Sequence, residues 1–206
     1  MLAGIYKSMR FNAFPVAAAL ALALAAAPAV AQVGTSGFQF LQAVEQRDGA
    51  KATEALRSQG SVINARGDDG DGALHKIARR RDGEWLRFML SKGADPNLAN
   101  RSGDTALHLA ARSGWLEGVD LLLLVKARVD AANRLGETPL IIAVQQKQVP
   151  TVRRLLEAGA NPDRTDNASG RSARDYAKLD ARSTEMLRAI EQTAVKKPAA
   201  VAGPKL

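Results

Sequence analysis

Two histidines are the first residues of this sequence whose type and spacing suggest chemistry. His75 and His108 lie 33 residues apart, and no other histidine is present. Two imidazoles on neighbouring elements could bind one metal ion. Each also stands third in a predicted short helix, where a side chain can hydrogen-bond back to the cap, as Asp175 can to Ser172 in the [ST]-x-x-[DE] capping-box pattern of a later helix. We therefore predict structural histidines and no metal site.

An acidic stretch, residues 67–72, reads Gly-Asp-Asp-Gly-Asp-Gly and could be taken for a cation or phosphate loop. A calcium loop needs oxygen ligands at fixed positions. Counted from Asp69, the fifth position is Ala73 and the twelfth is Arg80, so half of the oxygens are missing. A nucleotide loop would need a preceding buried strand. We interpret the stretch as an acidic finger tip, with an adventitious cation site as the alternative.

Other catalytic patterns are missing from the sequence. Its 206 residues include no cysteine, which excludes a thiolate nucleophile, a disulfide and a cysteine-ligated zinc ion. There is no Gly-x-Ser-x-Gly or His-Glu-x-x-His motif, and no pair of carboxylates with catalytic spacing. We predict that the protein is not an enzyme and takes no cofactor and no small-molecule substrate.

The elements that position these residues follow a period of 33. Five registers share this interval: Gly70, Gly103 and Gly136; Leu74, Leu107 and Leu140; Leu90, Leu123 and Leu156; Ala94, Ala127 and Ala160; Asn97, Asp130 and Asp163. A unit of this length cannot bury its apolar side alone, so neighbouring units must stack. The sequence therefore predicts a repeat array that is stabilised by the contacts between its units.

Each unit is predicted to contain two helices and a polar turn. Thr105 precedes a short helical pattern as its N-cap, and Pro139 occupies the first helical position one unit later. Gly114 ends the first helix of its unit, and a second helix carries apolar residues at helical spacing from Leu116 onward. The polar segment 127–136 then favours a β-turn finger that links one helix pair to the next.

Three stretches of the sequence carry a family resemblance. They are residues 103–111 (Gly-Asp-Thr-Ala-Leu-His-Leu-Ala-Ala), 136–143 (Gly-Glu-Thr-Pro-Leu-Ile-Ile-Ala) and 155–163 (Leu-Leu-Glu-Ala-Gly-Ala-Asn-Pro-Asp). In them the chain resembles the ankyrin repeat, a unit of a β-turn and two antiparallel helices. The resemblance implies an all-α solenoid with β-turn fingers and capping units at both ends, in about five units: residues 38–66, 67–99, 100–132, 133–166 and 167–194.

Two units depart from the family pattern. In unit two, Gly72 and Ala73 stand where the family has Thr-Pro, and Ile77 replaces a small alanine, so its first helix is predicted to start weakly. In unit three, Lys126 replaces the glycine that usually ends the second helix. These departures affect local geometry and leave the predicted fold unchanged.

The N-terminal segment, residues 1–31, has the three-part pattern of a secretory signal peptide. A short basic start precedes an apolar stretch, and Pro28 follows just before an Ala-Val-Ala sequence. Cleavage after Ala31 would leave residues 32–37 as a short linker and place the protein in the periplasm, with secretion as the second choice. The alternative is a retained membrane anchor, the one form that would contact a membrane.

The net charge of +8 comes partly from the two ends of the chain. Lys7 and Arg10 lie in the predicted signal peptide. Three lysines lie in residues 195–206, a segment of mostly Pro, Ala and Lys that we predict to be disordered. The middle of the chain is therefore close to electrically balanced, which argues against nucleic acid as the partner.

Ankyrin proteins present a concave groove of finger tips and first-helix ends, and the resemblance implies that this groove binds another protein. Carried onto this sequence, the groove positions are Asp68, Asp69, Asp71, Arg79, Arg80, Arg101, Ser102, Asp104, Arg112, Ser113, Trp115, Arg134, Leu135, Glu137, Gln145 and Gln146. Because Arg and Trp dominate many interfaces, we take Trp115 with Arg112 as the anchor. The alternative is that Trp115 packs onto the neighbouring repeat and the arginines form a solvated face.

The function predicted from the sequence is that of a non-catalytic adaptor that binds another protein. Two alternatives stay open. One is an inhibitor or immunity-type partner of an exported enzyme. The other is a weak binder of anionic surfaces or nucleic acid, whose affinity would fall steeply as the salt concentration rises.

Overall fold

The computed structural model describes residues 29–179 and 184–196. Most of the predicted signal peptide and the predicted tail beyond residue 196 lie outside these residues. Ten helices occupy the described part: α1 (Ala29–Glu45), α2 (Gly49–Ser58), α3 (Ala73–Arg80), α4 (Gly83–Ser91), α5 (Ala106–Ser113), α6 (Leu116–Leu124), α7 (Pro139–Gln145), α8 (Val149–Glu157), α9 (Ala173–Leu179) and α10 (Thr184–Lys196). A short 3-10 helix, Gly60–Asn64, follows α2, and the described residues form no β-strand.

The helices form two layers. The first helices of successive units, α1, α3, α5, α7 and α9, each pack against the next, and so do the second helices α4, α6, α8 and α10. Within a unit, the two helices pack together across a short turn. This stack of helix pairs confirms the predicted all-α solenoid, in which each pair is covered by its neighbours.

The core follows the same period as the sequence. Leu74, Leu107 and Leu140 in the first helices are 3%, 0% and 0% exposed, and Leu122 and Leu155 in the second helices are fully buried. Burying one leucine contributes roughly 2 kcal/mol relative to leaving it in water. Since each of these helices packs against helices of adjacent units as well as against its partner, part of this contribution depends on stacking.

The first helix is longer than the sequence indicated. It starts at Ala29, so residues 32–37, predicted to be a linker, are helical. The second half of α1 is tied to the stack, because Phe40 and Val44 are fully buried and α1 packs against α2 and α3. At the other end, α10 extends to Lys196 and takes in two residues of the predicted tail. No helix within the described residues has the length and apolar character that crossing a membrane requires.

The weak start predicted for α3 has a packing reason. Gly72 caps the helix without a side chain, and its N–H donates to Nδ1 of His75 at 3.1 Å. A Cβ atom at Gly72 would lie 2.6 Å from Cδ2 of Leu98. Leu98 therefore fills the space that a capping threonine would need.

The second helices end in turns of the same geometry, although one turn lacks the glycine. Gly93, Lys126 and Gly159 have φ values of 87°, 61° and 90°, in the left-handed region that disfavours a residue with a Cβ. In the Lys126 turn, the Lys126 N–H donates to the carbonyl of Leu123 at 2.9 Å, and one unit later the Gly159 N–H donates to the carbonyl of Leu156 at 2.9 Å. Lys126 therefore keeps the geometry of glycine at the expense of backbone strain.

Replacing Lys126 with glycine is expected to raise the free energy of unfolding by about 0.5–1 kcal/mol. Relief of the left-handed strain stabilises the folded state, and the greater freedom of glycine in the unfolded chain offsets part of that gain. Urea unfolding measures the change. The matched control is Gly93→Ala, which should lose stability through the backbone alone, because nothing lies within 4 Å of its Cβ position. No gain for Lys126→Gly would contradict the strain argument.

Candidate functional site

The turns between units form three fingers of one backbone design: residues 67–71, 100–104 and 133–137. The first N–H of each finger donates to the carbonyl of the fifth residue, at 2.9 Å from Asn100 to Asp104 and at 3.0 Å from Asn133 to Glu137. This confirms the predicted β-turn fingers. Their second and third positions form the tips, which are Asp68 and Asp69, Arg101 and Ser102, and Arg134 and Leu135.

Two buried asparagines, Asn100 and Asn133, tie each finger to the preceding one. Asn133 Oδ1 accepts two backbone N–H groups of its own finger, at 2.9 and 3.0 Å, while its Nδ2 donates to Asp104 Oδ1 at 2.9 Å. Asn100 repeats the arrangement, with Nδ2 at 2.8 Å from Asp71 Oδ1. Neither asparagine was predicted as a site residue, although their spacing of 33 was a signal that could have identified them.

Asp71 and Asp104, predicted as partner-binding residues, are buried in this framework at 2% and 5% exposure. Arg79 Nε donates to Asp71 Oδ2 at 2.9 Å, and Arg112 Nη1 donates to Asp104 Oδ2 at 3.0 Å. Burial by itself raises the pKa of Asp71, but the hydrogen bonds from Arg79 and Asn100 outweigh it and hold that pKa below its usual value. The two carboxylates order the fingers and are withdrawn from the binding surface, which corrects their predicted role.

The finger tips, by contrast, are exposed. Asp68, Asp69, Arg101, Ser102, Arg134 and Leu135 all reach solvent. Leu135 is 56% exposed, so the turn presents an apolar side chain to solvent. The tips of units three and four therefore bring two arginines together with one apolar group.

The predicted residues outside the finger tips differ in their exposure and in their hydrogen-bond partners. Arg79 and Arg112 keep about half of their side chains exposed while they bind the buried aspartates, at 56% and 41%. Gln146 is exposed, whereas Ser113, Glu137 and Gln145 are half-buried. Arg80 is committed elsewhere, because its two terminal nitrogens donate to the carbonyls of Glu45 and Val44 at the end of α1, at 2.7 and 2.9 Å.

Comparison with known protein families finds a match across these same fingers. The family described as ankyrin repeats in three copies matches residues 40–133 and, in a second alignment, residues 74–166. Together the matches span more than half of the sequence. The chain belongs to the ankyrin-repeat family. A comparison with curated proteins found no match.

In this ankyrin-repeat stack, Trp115 is buried at 7% exposure. It lies at the start of α6, and its ring covers Gly118, where a Cβ would lie 2.1 Å from a ring carbon. Glycine in the first turn of α6 thus makes room for the indole. The structure supports the packing alternative for Trp115 and corrects the prediction that Trp115 anchors a partner.

The two histidines of the ankyrin units are fully buried and join each first helix to the next finger. His108 Nδ1 accepts the N–H of Thr105 at 3.1 Å, and its Nε2–H donates to the carbonyl of Glu137 at 3.1 Å. His75 bonds in the same way, with the Asp104 carbonyl as acceptor at 2.8 Å. Both ring nitrogens are engaged in the neutral tautomer, so the role is the structural one that was predicted.

Stability is expected to fall as the pH is lowered from 7 towards 5. Burial lowers the pKa of both His75 and His108 below 6.5. The unfolded chain therefore takes up protons near pH 6.5 that the folded chain does not bind, and protonation favours unfolding. The contribution of the two histidines to the free energy of unfolding is fully present above their pKa in the unfolded chain and is lost as the pH falls below it. Carboxylates with lowered pKa values, such as Asp71, reduce the stability only below about pH 5, where the unfolded chain starts to protonate them.

Urea unfolding at a series of pH values checks this expectation. The control is the double variant His75→Asn and His108→Asn, whose side chains can still accept the N–H at the helix start but do not titrate. It should be less stable at pH 7 and should show a flat profile between pH 7 and 5. A wild-type profile as flat as that of the variant would show that the buried histidines do not control the pH dependence.

The arginine, histidine and asparagine side chains that join the fingers do not all recur 33 residues later in unit four. At the positions that follow by 33, Gln145 replaces an arginine, Ile141 replaces a histidine and Asp166 replaces an asparagine. Shielding from water raises the pKa of Asp166, but hydrogen bonds led by that from Tyr176, at 2.6 Å, outweigh it and lower the pKa. The finger of unit four, residues 133–137, is joined to unit five by a backbone bond, from the Asn167 N–H to the Leu135 carbonyl at 2.8 Å.

Proposed function

We propose that this ankyrin-repeat chain is a non-catalytic adaptor that binds another protein through the fingers of units three and four. The observation that carries the proposal is the exposed row formed by Arg101, Arg134 and Leu135 on an ordered backbone. The Arg134 N–H donates to the carbonyl of Ser102 at 3.1 Å, which joins the two fingers directly. A surface that is ordered before binding loses little conformational entropy when a partner docks.

The chemistry of this row indicates what its partner should offer. Two guanidinium groups favour carboxylates, which they can bind through paired hydrogen bonds. Leu135 favours an apolar pocket, and burying its exposed part would contribute roughly 1 kcal/mol. Leu135 thus takes the anchoring role that the sequence had assigned to Trp115. Inhibition of an exported enzyme would use the same contact.

Affinity capture tests the proposal. The double variant Arg134→Glu and Leu135→Ala reverses one charge and truncates one apolar side chain on the finger. The matched control, Lys126→Glu and Leu124→Ala, makes the same two changes at the end of α6, where Leu124 is 78% exposed. Nuclease-treated periplasmic extract excludes partners held by nucleic acid, and circular dichroism confirms equal folding.

We expect the finger variant to lose partners that both wild type and control recover. Recovery of the same partners by the finger variant would exclude this surface. Loss of partners by both variants would show that the capture depends on charge or on exposed leucine in general.

We also propose that the protein acts in the periplasm, with secretion as the second choice. The support is the basic, apolar and small-residue pattern of residues 1–31. Mass spectrometry of the protein from fractionated cells should find Gln32 as the first residue in the periplasmic fraction. An intact N-terminus in the membrane fraction would indicate the retained anchor instead.

A further inference from the structure

The N-terminal end of the stack has a cavity of about 780 Å³ between α1 and the first finger. Its apolar part includes Phe38 and Leu41 of α1. Phe38 is 65% exposed, although Leu41, three residues later, is buried at 4%. The cavity therefore offers an aromatic ring to a ligand and lies away from Arg134 and Leu135.

The rim of this cavity has an excess of acidic groups. Asp68 and Asp69 lie on the finger side, and within the described residues Asp68 has no hydrogen-bond or ion-pair partner. Asp69 uses one carboxylate oxygen to accept the N–H of Asp71 at 2.8 Å, which leaves the other oxygen available. Of the two cations on the rim, Lys76 is paired with Glu45 at 3.5 Å, and the other is Arg66.

We propose that this cavity binds residues 197–206 of a second copy of the chain. That segment reads Lys-Pro-Ala-Ala-Val-Ala-Gly-Pro-Lys-Leu. Lys197 and Lys205 lie eight residues apart, too far to meet the adjacent Asp68 and Asp69 together, so one lysine at a time pairs with the two aspartates. The segment has no acidic side chain that they would repel, and the small or apolar residues beside each lysine suit the surface around Phe38.

Residues 197–206 are too short to bind the cavity of their own chain, so the cavity takes them from a second copy. Between α1 and α9 the first helices stack in four steps, and packed helices lie about 8–10 Å apart, so the two ends are separated by roughly 32–40 Å. Residues 197–206 span at most about 36 Å when fully extended. Residues 197–206 would therefore be fully extended just to reach the cavity of their own chain, and no residue would remain to lie in it.

Such a contact is head-to-tail, because the surface on one copy differs from the segment that the other copy supplies. Repeated contacts of this type form open chains or rings. We therefore expect assembly that grows with protein concentration and weakens with salt, since the lysine–aspartate pairs are exposed.

Sedimentation velocity of the full chain between micromolar and millimolar concentrations tests this inference. Wild type should form species larger than the monomer. Asp68→Lys with Asp69→Lys should weaken assembly about tenfold or more, and so should Lys197→Glu with Lys205→Glu. Combining all four changes should restore assembly, because the charges are then exchanged between the two surfaces. Glu84→Lys with Glu157→Lys, on other exposed acids, is the matched control and should assemble like wild type.

A labelled peptide of residues 195–206 gives a direct measurement. Its fluorescence anisotropy should rise with the Lys197→Glu and Lys205→Glu variant of the full chain, and should rise much less when Phe38→Ser is added. A monomer at every concentration with no peptide binding would overturn the inference, as would assembly that the charge exchange fails to restore. The finger variant Arg134→Glu with Leu135→Ala should assemble normally, so this result and the capture result can fail separately.

Discussion

Replacing Asp104 with alanine is expected to lower the free energy of unfolding by about 2–3 kcal/mol. This carboxylate is buried and accepts hydrogen bonds from Arg112 at 3.0 Å and from Asn133 at 2.9 Å. Without it, the guanidinium of Arg112 can recover some hydration, since 41% of its side chain is exposed. The buried Asn133 amide, however, loses its acceptor on the preceding finger, so one of the hydrogen bonds that join units three and four is lost.

Chemical unfolding of three variants separates the causes of this loss. Glu137→Ala removes the carboxylate one unit later, where Gln145 stands in place of an arginine, so it should lose less than about 1 kcal/mol. Asp104→Asn keeps the shape and one acceptor oxygen but removes the charge that faces Arg112, and its loss should be intermediate. Equal losses at positions 104 and 137 would show that the buried aspartate has no special role in joining the units.

The fold could be predicted because its cause is periodic in the sequence. Leucines such as Leu107 recur at 33 residues since each unit buries the same face against the next, and finger glycines such as Gly103 recur since each turn has the same geometry. A period identifies what all units share. It does not identify where the stack starts, because α1 has no partner one unit earlier, and residues 32–37 were therefore not predicted to be helical.

The site was harder to predict because exposure depends on contacts between units. Asp71 and Asp69 are both acidic residues of one finger, yet Asp71 is buried beside Arg79 and Asp69 is exposed. The difference depends on Asn100, which lies 29 residues further along the chain. For Trp115, the local sequence did contain a signal: Gly118, one helical turn later, leaves the space that the ring occupies.

Replacing Gly103 with alanine should destabilise the protein by about 3 kcal/mol. Gly103 has a φ of 82°, where a residue with a Cβ is disfavoured by roughly 1–2 kcal/mol. The new Cβ would also lie 2.7 Å from the Arg134 N and 3.1 Å from Asn133 backbone atoms. Those contacts are with backbone, so a side-chain rotation cannot relieve them and the two fingers must separate.

The alanine variant at Gly159 isolates the second of these effects. Gly159 has a φ of 90°, but nothing lies within 4 Å of its Cβ position, so Gly159→Ala carries the backbone penalty alone. The difference in unfolding free energy between the two variants then measures the contact between fingers. Since that contact positions Arg134 beside Arg101, Gly103→Ala should also weaken partner capture while Gly159→Ala leaves it intact. Equal stability losses at the two glycines would show that the fingers can separate freely, and the rigid surface proposed for partner binding would then lack its physical basis.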